Sequence, residues 1–217
     1  MTRIISPSIL ACNFLRLEEE ISTINDIPDI WYHLDVMDGH FVPNLTFGQP
    51  LIEQINTVAK HPLDAHLMVS NPDFYFHAFR DLNLHNITFH IETLPTPENF
   101  LSNALENYES VGISLRPSTS EKILNHDILS NIDLLLIMSV EPGFAGQKFI
   151  ENTWSRIAYF KNLKEKNNYR YLIQIDGGVS DKNGHQLFEA GADNLVTGSY
   201  LFRQKGKYLD AIQRLRQ

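Results

Sequence analysis

A chain of 217 residues can bury a sizeable core and reads as one domain over residues 1–217. A formal net charge of −8 with no basic stripe excludes an ordinary nucleic-acid binder. The absence of an 18-residue apolar run excludes a membrane span.

The N-terminal MTRIISPSIL is too short an apolar run for a secretory leader, and Pro7 interrupts it. A single cysteine, Cys12, fits a reducing cytoplasm and is expected to pack as a small hydrophobe. From there the chain alternates between short β-rich apolar runs and amphipathic stretches. RIISPSIL (3–10) precedes the helical FLRLEEEISTIN (14–25). IWYHLDV (30–36) precedes QPLIEQINTVAK (49–60), in which Leu51, Ile52, Ile55 and Val58 recur at helical spacing. LDAHLMV (63–69) leads to PDFYFHAFRDL (72–82), and NITFHIE (86–92) to PENFLSNALENY (97–108). Pro72 and Pro97 stand where a first helical turn accepts proline. GISLRP (112–117), EKILNHDILS (121–130), DLLLIMSV (133–140) and FIENTWSRIAYFKNLKEK (149–166) continue the pattern. YLIQIDGG (171–178), KNGHQLFEAG (182–191), NLVTGS (194–199) and KGKYLDAIQRLR (205–216) complete it.

Strict βα alternation predicts parallel strands with right-handed crossovers. Eight units in a chain of this length favour an α/β fold of the (β/α)8 TIM-barrel type. The alternative, an open doubly wound sheet, lacks the GxGxxG expected after its first strand.

In such a barrel the chemistry gathers at the C-terminal strand ends. Ser8 ends the first strand and HLDVM places His33, Asp35 and Met37 on one side of the second by simple alternation. His66 and Met68 end the third, Met138 the sixth and Asp176 the seventh. Two histidines and two aspartates from three strands make a nitrogen and oxygen donor set suited to zinc, iron(II), manganese or cobalt. Each of the four, taken singly, also fits a barrel-mouth polar group satisfied by hydrogen bonds. His90 is ambiguous, and His61, His77, His85, His126 and His185 are expected in solvated helices or connections. Met37, Met68 and Met138 are either gap-filling core residues or a soft wall that excludes water from a reacting centre. No lysine sits at a strand end, so a Schiff-base mechanism has no nucleophile, and Lys148 reads as helix surface.

Three glycine-bearing turns follow consecutive strands. They are Gly143, Phe144, Ala145 and Gly146 in EPGFAGQKF, Gly177 and Gly178 in DGGVS, and Gly198 and Ser199 in GSYLF. Glycines let backbone N–H groups approach an anion, and helix N-termini favour negative charge. Together they point to a phosphorylated small-molecule substrate.

SPSILACNF, HLDVMDGHFVPNLTFG, DAHLMV, MSVEPGFAGQKF, IQIDGGVS and AGADNLVTGSYLF together resemble the ribulose-5-phosphate 3-epimerases of the ribulose-phosphate-binding barrel superfamily, from about residue 3 to about residue 203. The resemblance implies that His33, Asp35, His66 and Asp176 bind one divalent metal and that Asp35 and Asp176 are the acid/base pair. Ser8 and His66 would touch substrate. The Gly143–Gly146, Gly177–Gly178 and Gly198–Ser199 segments would hold its phosphate, and Met37, Met68 and Met138 would shield an ene-diolate. It implies interconversion of D-ribulose 5-phosphate and D-xylulose 5-phosphate in the pentose phosphate pathway, by a homodimer or hexamer. The chain departs from the family at Ala145, where GFGG is the commoner form, at Arg116, usually Asn, and at Ser120, commonly Pro. A sister activity on a six-carbon ketose phosphate such as D-allulose 6-phosphate is the near alternative. A non-catalytic sugar-phosphate binder would need no opposed carboxylates, and barrel decarboxylases require an Asp-x-Lys array that Asp35-Val36-Met37-Asp38 lacks.

Overall fold

The computed structural model describes residues 3–217. Its eight strands are β1 (Ile4–Pro7), β2 (Tyr32–Met37), β3 (Leu63–Met68), β4 (Asn86–His90), β5 (Ser110–Leu115), β6 (Leu134–Met138), β7 (Leu172–Asp176) and β8 (Asn194–Thr197). They form one parallel sheet in the order β1-β8-β7-β6-β5-β4-β3-β2. Bridges between Ile5 and Ile30 and between Ser8 and His33 bring its two edges together. The Trp31 N–H donates to the Ile5 carbonyl at 3.1 Å in the same seam. The result is a nearly closed (β/α)8 barrel, as the alternation predicts.

Nine helices surround it among the described residues: α1 (Leu17–Ile24), α2 (Gln49–Val58), α3 (Pro72–Ala78), α4 (Pro97–Asn107), α5 (His126–Asn131), α6 (Thr153–Asn167), α7 (Gly184–Ala190), α8 (Ser199–Phe202) and α9 (Tyr208–Arg216). Asn71 accepts a hydrogen bond from the Phe74 N–H and caps α3 with Pro72 in its first turn. None of these helices is long and apolar enough to cross a membrane.

The main core lies between barrel and helices. Leu34, Val36, Leu67, Phe89, Ile113, Ile137, Ile175 and Leu195 point outward from the strands and pack against Ile21, Ile52, Phe76, Leu101, Ile128, Ile157, Leu187 and Ile212 on the helices. Each fully buried side chain of this kind contributes about 1.5–3 kcal/mol. Cys12 packs against this core, and burial pushes its thiol up to about 12.

Several boundaries differ from those read in the sequence. The last unit divides into a single-turn α8 directly after β8 and the longer α9. The expected helix at residue 149 begins only at Thr153, because the Ile150 N–H donates to the Ser139 carbonyl at 2.8 Å and ties that stretch to the end of β6. Lys148 is therefore in the loop. Glu121–Ile123 form a 3-10 turn, and α5 starts after Asn125, whose side chain caps the Ile128 N–H. Strand β5 starts at Ser110, because Ser110 and Val111 pair with Asn86 and Ile87. His61 and His85 are half-buried against Tyr32 and Trp31 instead of solvated.

Candidate active and metal site at the barrel mouth

Inside the barrel, alternation places a second set of side chains, and these are largely polar. On β2 and β3, His33 pairs in register with Asp64, Asp35 with His66 and Met37 with Met68. Met138 on β6 pairs with Asp176 on β7. This register brings His33, Asp35, His66 and Asp176 together, one ligand atom of each lying within 4.8 Å of the others.

His33 Nε2 lies 3.4 Å from Asp35 Oδ1 and 3.9 Å from Asp176 Oδ2. His66 Nδ1 lies 3.4 Å from the same Asp35 oxygen and 3.7 Å from Asp176 Oδ2. Ser8 Oγ donates to the other Asp35 oxygen at 2.5 Å. His33 Nε2 is buried without a hydrogen-bond partner among the described residues, although it faces two carboxylates. An unpartnered imidazole nitrogen beside two carboxylate oxygens and a second imidazole is a donor set that could hold a divalent metal ion.

The electrostatics favour a cation at this point. Burial penalises a His33 imidazolium, but Asp35 and Asp64 outweigh it and hold its pKa well above the ordinary value. Burial likewise pushes the Asp35 carboxyl up, but the His33 charge and the closeness of the His33 and His66 rings leave it well below the usual range. Asp176 is raised to about 6, first by burial and then by the Asp35 charge. The field that attracts a proton to His33 also attracts a metal ion to the cluster. The two carboxylates meanwhile have unlike proton affinities.

A cavity of about 370 Å³ opens above the cluster. Ser8, Asp35, Met37, Met68, Met138, Asp176, Gly143, Phe144, Ala145, Gly146, Gly177, Gly178, Gly198 and Ser199 all line it. His33 and His66 lie beneath its floor, fully buried. Met37 and Met68 pack with Val42, Leu10 and Phe41, and Met138 packs with Val140. The three glycine turns all border the cavity. The Asn44 side-chain amide donates to the Gly143 carbonyl at 2.8 Å, joining the loop after β2 to GFAG. Gly177 and Gly178 have φ of 121° and 63°. A Cβ at Gly178 would stand 2.5 Å from the Phe149 backbone nitrogen.

The supporting residues were missing from the sequence reading. Asp64 accepts from His33 Nδ1 at 2.8 Å, from Asn86 at 2.7 Å and from Gln174 at 2.7 Å. His90, ambiguous by sequence, is fully buried with Nε2 2.9 Å from His66 Nε2. Burial lowers the His90 pKa to about 4, so the ring is neutral at physiological pH. The available signal was strand phase: Asp64 precedes His66 by two residues, and Asn86, Thr88 and His90 share one side of β4. Asp38, one step out of phase with Asp35, instead accepts from the N–H groups of His40 and Phe41 and from Ser70, holding the loop after β2.

Comparison with known proteins identifies the family. The chain is 41% identical over 200 residues to the ribulose-phosphate 3-epimerase of Mycobacterium tuberculosis, covering 92% of this chain and 86% of that protein. It is 38% identical over 215 residues to the enzyme of that name from Helicobacter pylori, covering 98% of each. For the Bacillus subtilis protein of that name the identity is 37% over 204 residues, covering 94% of each. Among solved structures, a mutant tryptophan synthase alpha-subunit from Pyrococcus furiosus superposes with a TM-score of 0.64 at 10% identity, covering 100% of this chain and 97% of that one, a likeness of fold alone. Residues 4–202 match the sequence model of the ribulose-phosphate 3 epimerase family, and the chain belongs to that family.

Proposed function

We propose that the chain epimerises D-ribulose 5-phosphate and D-xylulose 5-phosphate at C3, as an enzyme of the pentose phosphate pathway. The observation that carries this reading is the pair Asp35 and Asp176, set on different strands at the floor of one cavity. Inverting a stereocentre beside a ketone removes a proton from one face and returns one to the other, which takes two acid/base groups on two sides. In this reading one carboxylate abstracts the C3 proton while the other, protonated, delivers its proton to the opposite face. The roles exchange with the hand of the substrate. The Ser8 hydroxyl orients Asp35 through its 2.5 Å hydrogen bond and, with His66, touches substrate.

His33, Asp35, His66 and Asp176 would hold one divalent ion, of zinc, iron(II), manganese or cobalt. When bound, that ion supplies positive charge that polarises the ketone and stabilises the developing ene-diolate. Met37, Met68 and Met138 exclude water from the planar intermediate. Backbone N–H groups of Gly143–Gly146, Gly177–Gly178 and Gly198–Ser199 hold the phosphate at the far side. The assembly is a homo-oligomer, a dimer or hexamer, and the compartment the cytoplasm.

The rival reading is a six-carbon ketose phosphate such as D-allulose 6-phosphate. The test is turnover of ribulose 5-phosphate before chelation, after chelation and after add-back of each metal, with kcat/KM compared on allulose 6-phosphate. Activity lost to chelator and restored by a metal supports the proposal. Full activity after exhaustive chelation removes the metal, and a higher kcat/KM on the six-carbon substrate reassigns the substrate.

A further inference from the structure

Behind the His33–Asp35–His66–Asp176 cluster lies a second line of polar groups that proton transfer does not use. His66 and His90 face each other through their Nε2 atoms at 2.9 Å, the rings stacked with centroids 5.0 Å apart. His90 Nδ1 lies 3.1 Å from Glu92 Oε2. The other Glu92 oxygen accepts from the Arg116 backbone N–H at 2.8 Å and from the Thr119 hydroxyl. Arg116 closes this line from outside. Its guanidinium lies 4.0 Å from the Phe41 ring centroid and donates to the Phe41 carbonyl at 2.7 Å. The Phe41 ring in turn covers His90, with centroids 4.7 Å apart.

Two imidazole nitrogens at hydrogen-bond distance share one proton, so one donates and the other accepts. The Glu92 carboxylate only accepts, so His90 carries its proton on Nδ1 and presents a bare Nε2. That nitrogen accepts the Nε2–H of His66 at 2.9 Å, the shorter of the two contacts that compete for the ring's proton, and the Nδ1 of His66, 3.4 Å from Asp35 and 3.7 Å from Asp176, is left without it. We propose that Glu92 and His90 are positioning residues that set the tautomer of His66, presenting its Nδ1 lone pair to the cluster. The proposal rests on reading that cluster as a metal site. It makes the two histidine ligands alike: Asp64 fixes the bare nitrogen of His33, and Glu92 acts through His90 to fix that of His66.

The test is Glu92→Gln. In this variant the amide oxygen still serves Arg116 and Thr119, while the amide N–H2 faces His90 and forces it to donate from Nε2. His66 must then move its proton to Nδ1. Long-range proton–nitrogen NMR of the metal-free wild type is expected to show the His66 proton on Nε2, and in Glu92→Gln on Nδ1. Zinc affinity, measured by competition with a chromophoric chelator, is expected to fall about 10–100-fold. Adding His90→Gln to that variant supplies an acceptor independent of residue 92, and is expected to recover most of the loss. A His66 proton on Nδ1 in the wild type, or zinc affinity in Glu92→Gln equal to wild type, overturns the proposal. The wild-type spectrum decides the matter even if the variant does not fold. A wild type that binds no zinc, iron(II), manganese or cobalt overturns the metal reading itself, and the tautomer spectrum then stands as the separate test of the relay.

Discussion

Asp64 accepts the Nδ1–H of His33 at 2.8 Å, and neither residue has any solvent exposure. The pair lies one layer below the cavity, so Asp64 never meets substrate, yet it determines which nitrogen His33 offers. Burial pushes the Asp64 carboxyl up, but the His33 charge and hydrogen bonds from His33, Gln174 and Asn86 hold it below its ordinary value. Asp64→Ala strands three buried donors, and is expected to cost about 3–5 kcal/mol in denaturant unfolding. Asp64→Asn keeps the volume, and should weaken metal binding by about 10–100-fold. A variant that binds metal as tightly as wild type would remove Asp64 from this role.

Asp35→Asn and Asp176→Asn each delete a carboxyl group of the cluster, and with it one partner of the proposed acid/base pair. Each is expected to lower kcat by more than the roughly 10²–10⁴-fold usual for general acid–base groups. Near-native turnover in either excludes that residue from the chemistry. Turnover in D2O should also place deuterium at C3 of the ketose phosphate, read by NMR, and unlabelled product would count against solvent-exchanging carboxyls.

Gly178 and Gly206 both have positive φ, 63° and 88°, but only Gly178 is crowded, with the Phe149 backbone 2.5 Å from where a Cβ would stand. Nothing lies within 4 Å of a Cβ at Gly206. Gly206→Ala should therefore cost only the left-handed strain, about 1–2 kcal/mol. Gly178→Ala should cost more, and should raise KM more than it lowers kcat, because the displaced turn lines the cavity where the proposed substrate's phosphate would sit. Equal thermal shifts for the two variants would refute the crowding argument.

Burial pushes the Asp38 carboxyl up, but hydrogen bonds from Ser70, Phe41 and His40 outweigh it and hold its pKa at about 2. The folded state thus binds fewer protons than the unfolded chain between about pH 4 and pH 2. The stability due to Asp38 is complete above that window and is lost as pH falls through it. Asp38→Asn should lower Tm at neutral pH, with the difference from wild type closing toward pH 2. A difference that does not change with pH would assign the loss to packing.

The barrel was readable because a parallel strand buried on both faces, followed by an amphipathic helix, leaves a local signature that repeats. The phase of β2 was readable for the same reason. His33, Asp35 and Met37 share a side in any extended backbone. Boundaries were less legible where a tertiary hydrogen bond overrides a helical pattern, as the Ile150 to Ser139 contact does at the start of α6.

The amino-acid sequence by itself determined the eight βα units, the polar residues at the strand ends and the family to which the chain belongs. Local periodicity and short motifs are properties of neighbouring residues, so they survive without coordinates. Only the tertiary structure decided which inward side chains share a layer. Strand register sets Asp64 beside His33, and barrel closure brings Gln174 to Asp64 across 110 positions of sequence. Period-two alternation says that His90 points inward. It does not say that the ring stops 2.9 Å from His66, because that distance depends on the stagger between β3 and β4.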